Sequence, residues 1–403
     1  MKWEKVKLGD IASFSNGINF NKTAYEKGVK LIGVSNFGDR FYPDYLQLQE
    51  VKKDIVRPED CLRNGDIVFV RSNGNKELVG RCMLVKNPTE RVTYSGFCIR
   101  ARLNDTDRYD PVYFTYYFKS KAFRRAVSGT AVGANIQNLS QARLSNHDCN
   151  VPDIETQHRI ADILSAYDDL IENNQNQIKL LEEAAQRLYK EWFVDLRFPG
   201  HENTKIVDGV PEGWRTSTVS EVSAILRRGI SPKYNEKARG IVINQKCIRQ
   251  TIVSYDEART QEKKYPDELK MMESDILICS TGAGTLGRVG QIFEAKENVT
   301  LDSHVTLIRA NERVGQQYLF WSLKMQQDYL MSAGKGSTNQ LELSRETIGN
   351  CEILVPERKM AGQAEKNFAA IHDKMKECSM KITRLREARD LLLPKLMSGG
   401  MEV

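Results

Sequence analysis

The chain has 403 residues, a formal net charge of +6 and a hydrophobic content of 40%. This composition excludes a wholly disordered chain, because enough apolar side chains are present to form buried cores. No run approaches the roughly 18 apolar residues of a membrane span, and at about 150 residues per domain we expect two or three domains. The mild positive charge permits a polyanionic partner but does not require one.

The N-terminus begins Met1-Lys-Trp-Glu and has no apolar stretch typical of a signal peptide, so we expect a cytoplasmic protein. The eight cysteines are scattered along the chain, and no two have the close spacing of zinc ligands. They are therefore expected to be reduced thiols. Neither these cysteines nor the five isolated histidines predict a metal site or a nucleophilic centre.

Residues 1–152 are predicted to form an α+β domain. Short apolar runs such as Asp66-Ile-Val-Phe-Val have the length of strands and are bounded by turn-forming or charged residues. An aromatic segment at about 111–123 predicts a short helix. The domain ends at Val151-Pro152, where a different periodicity begins.

Residues 153–195 are predicted to form one long helix. Apolar residues alternate at steps of four and three for about four heptads, which is typical of a coiled-coil seam. A helix of about 35 residues is about 50 Å long, which is too long for the core of a small domain. The seam consists of Ile160, Leu164, Tyr167, Ile171, Asn174, Ile178, Leu181, Ala185 and Leu188.

Residues 196–356 repeat the first domain, after a polar, turn-rich linker at 198–213. The run Asp275-Ile-Leu-Ile-Cys matches the run at Asp66, and Val355-Pro matches Val151-Pro. A second short helix is predicted at about 316–329. The fold class is therefore two tandem mixed α/β domains, each followed by a long helix.

Residues 357–403 are predicted to form the second long helix, with the seam displaced by 204 residues. This helix is rich in Lys and Arg whereas the first is acidic, so the two can pair as an antiparallel coiled coil with Asn174 opposite Cys378 or its neighbours. Arg389 replaces Ala185 and weakens the seam. The alternative is two separate amphipathic helices. The second seam consists of Ala364, Phe368, Ile371, Met375, Cys378, Ile382, Leu385 and Leu392.

Motifs that would indicate catalysis are weak. Thr281-Gly-Ala-Gly-Thr-Leu-Gly287 contains a GxGxxG string, but a nucleotide site needs a helix to begin there. The following residues predict a strand, and the matching segment of the first domain lacks the glycines. Pro266-Asp-Glu-Leu-Lys270 is interpreted as a solvated loop, not as a nuclease motif. We therefore predict no enzymatic activity in this chain.

Several local motifs accompany the duplicated order of domain and helix. They are Trp3 with Leu8-Gly-Asp-Ile11, Pro211-Glu-Gly-Trp214, and Val151-Pro152 followed by Gln157-His-Arg-Ile-Ala-Asp-Ile-Leu164. By this order and these motifs the chain resembles the specificity subunit of type I restriction–modification systems over essentially its whole length. The second copy departs from the family pattern, because Ala361 stands where Gln157 predicts Gln.

The resemblance implies two target recognition domains that each read one half of a bipartite DNA sequence, with the helices setting the gap between the halves. It also implies two modification subunits, which methylate adenine, and restriction subunits, which translocate and cut DNA. S-adenosylmethionine, ATP and Mg²⁺ would be bound by those partners, and no cofactor by this chain. The alternative is a scaffold or dimerisation protein whose duplicated domains do not read DNA.

Reading of bases requires Arg, Lys, Asn, Gln, Ser or Thr in loops that reach the groove. Each candidate can instead be an ordinary turn residue or a solvated charge. In the first domain the candidates are Ser35, Asn36, Arg40, Arg71, Ser72, Asn73, Asn75, Lys76, Asn135 and Gln137, and in the second they are Asn244, Gln245, Lys246, Thr281, Thr285, Arg288, Asn339 and Gln340. Candidate phosphate contacts are Arg124, Arg125, Arg227 and Arg228.

Overall fold

The computed structural model describes residues 3–38, 40–73, 78–127, 137–282, 284–336 and 341–403. Its contacts divide the chain into two compact units, of which the first comprises Met1–Asn173 with Ile382–Val403 and the second comprises Asn174–Lys381. Each unit therefore contains one α+β domain and a part of both long helices. The boundaries expected at 152, 195 and 356 describe a different division, into domains and helices, and stay a prediction.

The described residues of the first domain form two larger sheets and two two-stranded sheets, together with short helices. A four-stranded antiparallel sheet has the order β2-β9-β5-β7, and a mixed sheet has the order β4-β3-β8 with β3 and β8 parallel. The elements are β1 (Trp3–Lys7), α1 (Leu8–Ile11), β2 (Ala12–Asn16), β3 (Tyr25–Ile32), β4 (Gln49–Val51), β5 (Ile67–Val70), β6 (Ser72–Asn73), β7 (Cys82–Leu84), β8 (Val92–Tyr94), β9 (Cys98–Leu103), α2 (Pro111–Lys119), α3 (Lys121–Val127), β10 (Gln137–Asn138), α4 (Gln141–Ser145) and β11 (Asp148–Pro152).

The sequence of strand β5 is continuously apolar because both faces of the strand are buried. Ile67 and Phe69 belong to the core that includes α2, whereas Val68 and Val70 belong to the core on the opposite face. Side chains alternate across a strand, so a strand buried on both faces needs apolar residues at every position. Helix α5 (Ile154–Tyr189) follows β11 and ends in a π-helical turn at Lys190–Val194.

The second domain has the same strand order as the first. Its two larger sheets are β15-β21-β18-β19 and β17-β16-β20, with β16 and β20 parallel. The elements are β12 (Ile206–Val207), β13 (Val210–Pro211), β14 (Arg215–Thr218), α6 (Val219–Val222), β15 (Ser223–Arg228), β16 (Gly240–Ile243), β17 (Arg259–Gln261), β18 (Ile276–Cys279), β19 (Val289–Gln291), β20 (Val299–Leu301), β21 (Val305–Ala310), α7 (Gln316–Met325), α8 (Gln327–Ser332), α9 (Arg345–Gly349), β22 (Glu352–Val355) and α10 (Arg358–Met397).

A buried ion pair occurs at the same place in both domains. In the first, the Arg102 guanidinium donates from Nε and from one NH2 group to the two oxygens of Asp66, at 2.7 Å each. In the second, Arg309 donates to Asp275 at 2.5 and 2.7 Å. Each carboxylate immediately precedes the inner strand, β5 or β18, that we call the central strand of its sheet, and its partner lies on the neighbouring strand. The predicted fold class of two repeated α/β domains, each followed by a long helix, is confirmed.

The two long helices pair in antiparallel fashion within each unit. In the first unit, Leu396 near the end of α10 packs in the same core as Ile160 and Leu164 near the start of α5. In the second unit, Phe368 near the start of α10 packs with Tyr189 at the end of α5. Among the described residues, no helix is both long and apolar enough to cross a membrane.

The polar positions of the seam are buried. Asn174 is buried, and one turn away the Cys378 thiol donates to the Gln177 Oε1 at 3.4 Å. Arg389, which interrupts the apolar pattern, forms an ion pair with Asp168, and the Tyr116 hydroxyl donates to the same carboxylate at 2.6 Å. The interruption is therefore a charged contact between the helices, supported by a tyrosine of the first domain.

The thiols provide a first test of this fold. Seven cysteines are buried and Cys61 is half-buried, and burial raises the pKa of Cys82 to about 11 and of Cys98 to about 12. Because the thiolate is the nucleophile, a buried thiol with a pKa of about 11 is ionised in only about one molecule in a thousand at pH 8. We expect native alkylation with iodoacetamide, followed by peptide mass mapping, to modify Cys61 first. Equal labelling of Cys82 or Cys98 under native conditions would contradict the packing.

Candidate nucleic-acid interface

Strands β3 and β5 end at one edge of the first domain. The Ser95 amide donates to the Ile32 carbonyl at the end of β3, at 3.0 Å. The Arg71 amide, just past β5, donates to the Phe97 carbonyl at 2.8 Å. The turn 95–98 therefore holds the two strand ends together, and with them Ser35, Asn36 and the segment that starts at Arg71.

A third predicted segment lies at the same edge. Strand β10 pairs with β6, which places Gln137 opposite Asn73, and the Leu139 amide donates to the Arg71 carbonyl at 2.9 Å. We call the set 33–36, 71–73, 95–98 and 137–139 the first loop edge. It brings together polar segments that are widely separated in the sequence.

The second domain assembles the corresponding edge. The Asp302 amide donates to the Ile243 carbonyl at 2.9 Å, and the Ser280 amide donates to the His304 carbonyl at 2.8 Å. The Leu343 amide donates to the Ser280 carbonyl at 2.8 Å. We call the set 244–246, 280–282, 302–305 and 341–343 the second loop edge. Gln245 lies beside Gly282 within it, because a Cβ on Gly282 would be 3.6 Å from Gln245 Cγ.

Some of the predicted side chains stabilise the loops themselves. The Asn36 Oδ1 accepts the Gly33 amide at 2.8 Å, and the Asn244 amide group bridges the Lys246 amide and the Glu257 carbonyl at 2.8 and 2.7 Å. The Thr285 hydroxyl donates to backbone carbonyls of its own turn. These residues shape the edge, whereas Ser35 and Lys246 are exposed.

Four of the predicted arginines are held by local acceptors. The Arg71 guanidinium donates to the Gly96 carbonyl at 3.2 Å, and that of Arg288 donates to the Gly284 carbonyl at 2.6 Å. Arg228 forms an ion pair with Glu342 at 2.6 Å, and Arg227 forms one with Glu268. A phosphate contact by Arg227 or Arg228 therefore requires sharing or release of a carboxylate partner.

The structure separates Arg40 from the first loop edge. Arg40 pairs with Asp44 at 2.6 Å, and its carbonyl accepts the Lys119 ammonium. The next residue, Phe41, accepts the amide of Leu84, which pairs with the first residue of β5, so this segment lies at the other end of that strand.

The structure describes only some of the remaining predicted DNA contacts. Arg124 and Arg125 lie on α3, where Arg125 is exposed. Only the backbone of Gln137 is described. Asn75, Lys76, Asn135, Asn339 and Gln340 lie outside the described residues.

The glycine-rich string does not have the context of a nucleotide site. The segment from Thr281 to Arg288 joins β18 to β19, which pair with each other as an antiparallel hairpin. The expectation that a strand follows the string is therefore confirmed. A nucleotide site of the GxGxxG type would need a helix N-terminus there.

Two neighbouring residues of the second loop edge differ in how much they should contribute to stability. Asn244 is buried and saturates two backbone groups, whereas Gln245 is half-buried beside Gly282. We expect Asn244→Ala to lower the free energy of unfolding by about 1–3 kcal/mol, because it leaves buried polar groups unsatisfied. We expect Gln245→Ala to change it by less than about 0.5 kcal/mol. Denaturant unfolding of both variants checks this, and equal losses would be inconsistent with the assigned roles.

Comparison with known proteins gives the context of this arrangement. A family model described as the type I restriction modification DNA specificity domain matches the chain twice, at residues 1–183 and 211–373. The HindI specificity subunit of Haemophilus influenzae is 26% identical and is aligned over 98% of this chain and 99% of its own length. The MjaIX specificity subunit of Methanocaldococcus jannaschii is 24% identical over 81% of this chain and 76% of its own.

A solved structure has the same fold. The crystal structure of the type I restriction–modification S subunit from M. genitalium aligns with a TM-score of 0.57 at 17% identity, covering 98% of this chain and 96% of that one. Two matches to the specificity domain, which together cover most of the chain, coincide with the two repeated domains. The chain therefore belongs to the family of type I restriction–modification DNA specificity proteins.

Proposed function

We propose that this chain is the DNA-specificity subunit of a type I restriction–modification complex, and that each domain reads one half of a bipartite target. The observation that carries the proposal is the repeated construction of a loop edge. Both edges are built by the same strand ends and the same backbone hydrogen bonds, and both present polar side chains. Such groups are suited to base edges and phosphates in a groove.

The two half-sites are expected to differ in sequence. At the position past the central strand, Arg71 of the first domain corresponds to Ser280 of the second, since the amide of each donates to the equivalent turn. The half-buried Arg71 side chain is suited to guanine, whereas the Ser280 side chain is fully buried and its hydroxyl is hydrogen-bonded to that of Thr306, so it does not reach a base. Domains with different side chains on the same scaffold read different bases, so the whole target is asymmetric.

The paired helices are proposed to set the number of base pairs between the half-sites. Half-sites on one face of B-DNA are spaced by about 34 Å per helical turn. Helix α5 has 36 residues and is about 54 Å long at about 1.5 Å per residue. A helix of this length is suited to fixing a spacing of that order.

Catalysis is proposed to belong to partner subunits. Two modification subunits would bind S-adenosylmethionine and methylate adenine in the recognised target, and restriction subunits would use ATP and Mg²⁺ to translocate and cut DNA. The chain itself would direct these activities in the cytoplasm without binding a cofactor.

Co-expression tests the proposal directly. The chain and its modification subunit are expressed in a host without adenine methylation, and methylated adenines are mapped by single-molecule sequencing. We expect methylation at one bipartite asymmetric motif, and its loss when the chain is omitted. Methylation that is independent of the chain, or absent although the modification subunit is active with another specificity subunit, would overturn the proposal.

Salt dependence distinguishes a DNA reader from a scaffold. A complex that neutralises several phosphates must lose affinity steeply as salt rises, because counterions are released on binding. We therefore expect binding to a target duplex to weaken by at least about tenfold between 50 and 200 mM salt. An affinity that is insensitive to salt would favour the scaffold.

A further inference from the structure

One tight turn has the same construction in both domains but carries a different ring. In the first domain the Cys98 amide donates to the Ser95 carbonyl at 2.8 Å, and in the second the Val305 amide donates to the Asp302 carbonyl at 3.1 Å. The third residue of the turn is Phe97 in the first and His304 in the second. The carbonyl of each accepts the amide that follows the central strand, at 2.8 Å in both cases.

A glycine keeps each turn against the neighbouring strand end. A Cβ on Gly17 would lie 2.2 Å from the Tyr94 carbonyl oxygen, and a Cβ on Gly229 would lie 2.1 Å from that of Leu301. No side chain fits at such distances, so both domains need glycine here. The scaffold of the turn is therefore the same in both copies, and the residue at its tip differs.

The two tips offer opposite chemistry to a ligand. The Phe97 side chain is 63% exposed, and it adjoins the exposed polar residues of the first loop edge. The His304 ring is exposed and its Nδ1 is hydrogen-bonded to the Thr281 hydroxyl at 2.6 Å, which leaves Nε2 as the ring nitrogen available to a ligand. An apolar ring can contact the methyl group of thymine, whereas an imidazole nitrogen can hydrogen-bond to a base edge.

We propose that Phe97 and His304 are equivalent specificity-determining residues, with Phe97 contacting a thymine methyl group in the half-site of the first domain and His304 hydrogen-bonding to a base in the other half. This inference rests on the proposed function, because it assigns two residues to the same interface. It also explains an apolar ring exposed among hydrogen-bonding groups. Each residue acts on one half of the target only.

The test uses the chain assembled with its modification subunits. Phe97→Ala and His304→Ala are compared with Leu46→Ala, which removes an apolar side chain that is 92% exposed in the first domain. Leu46 is a matched control because the neighbouring Tyr45 hydroxyl contacts Lys86, at the end of β5 opposite to the first loop edge. All three side chains are exposed, so thermal unfolding should be unchanged.

The methylated motif is the first readout. Phe97→Ala is expected to relax the requirement at one A·T pair in one half of the motif, with a loss of about fivefold in discrimination. His304→Ala is expected to relax one position in the other half, and Leu46→Ala none. Unchanged motifs for Phe97→Ala and His304→Ala, or relaxation of both halves by one substitution, would overturn the inference.

Replacing thymine by deoxyuridine isolates the methyl contact. Each thymine of the half-site is replaced in turn in a target duplex, and binding by the complex is measured. The unsubstituted chain should lose about fivefold at one thymine, and Phe97→Ala should show no further loss there. Equal sensitivity of both proteins at every thymine would contradict the contact. If the proposed function itself is wrong, the assembled complex will methylate no specific motif at all, which is a different result.

Discussion

Arg309→Ala is expected to lower the free energy of unfolding of the second unit by about 3–5 kcal/mol, because it leaves a buried carboxylate without its counter-ion. The Asp275 side chain is 2% exposed and that of Arg309 is 16% exposed. Arg309 also donates to the Glu268 and Lys270 carbonyls, at 3.1 and 2.6 Å. The substitution therefore unpairs one charge and two carbonyl groups.

The loss should depend on pH in a defined direction. Burial raises the pKa of Asp275, and the Arg309 guanidinium opposes that rise. Without Arg309 only the hydrogen bond from the Met272 amide opposes the rise, so the folded carboxyl binds a proton more tightly than the unfolded one. A group with a raised folded pKa loses its stabilising contribution as the pH rises through that pKa. The variant should therefore be most destabilised at neutral pH and should partly recover in acid.

Tryptophan fluorescence in denaturant measures this effect, since Trp192, Trp214 and Trp321 all lie in the second unit. Arg309→Lys keeps the charge but loses the two-pronged geometry, and an intermediate loss is expected. Arg313→Ala removes an exposed arginine of the same domain and should cost less than about 0.5 kcal/mol. A loss below about 1 kcal/mol in Arg309→Ala at pH 7 would contradict the buried pair.

Phe368→Ala is expected to cost about 3–5 kcal/mol, through lost burial and the cavity that remains. The Phe368 ring is fully buried, with its centroid 6.5 Å from that of Tyr189 on α5 and 6.3 Å from that of Trp321 on α7. The side chain thus joins the two long helices to the domain of the second unit. Its removal should loosen all three helices together.

A fall of about 10 °C in the Tm of the second unit follows, at about 2–4 °C per kcal/mol for a unit of this size. Phe368→Leu keeps part of the volume and should fall by less. Leu391→Ala, at a side chain of α10 that is 68% exposed, is the control and should leave the Tm nearly unchanged. Equal shifts for Phe368→Ala and Leu391→Ala would show that the seam does not pack as described.

The repeat and the long helices could be predicted because their signals are local or periodic. A heptad pattern reports helix pairing at every turn, and the runs at Asp66 and Asp275 identify equivalent central strands. The aromatic end of α5 could not be predicted in this way. Tyr189 falls outside the heptad register, yet it is buried in the core of the second unit.

The amino-acid sequence does not predict contacts between residues that lie far apart in the chain. Asp110 caps α2 of the first domain with its own carboxylate, which accepts the Val112 and Tyr113 amides at 3.1 Å each. In the second domain Gly315 occupies the cap position of α7, and Glu365 of α10 accepts the Gln317 and Tyr318 amides instead, at 3.1 and 2.9 Å. In the second domain the capping carboxylate therefore comes from another element, α10, and no local sequence pattern indicates this.

For the same reason, only some residues of the candidate interface can be predicted from the sequence. Residues directly after strands, such as Arg71 after β5, can be placed at an edge because the strand positions them. Arg40 lies in an irregular segment, and the sequence did not indicate that this segment folds back to the other end of β5. Phe97 and His304 precede strands, and their equivalence follows only from the hydrogen bonds that the two turns share.

Domain exchange tests the central claim most directly. Residues 1–152 are replaced by the corresponding domain of the Haemophilus influenzae relative, residues 153–403 are kept, and the methylated motif of the assembled complex is mapped. Two independent reading domains predict that one half of the motif changes while the other half and the spacing stay the same. A change in both halves, or an unchanged motif in an assembled and active complex, would contradict the account.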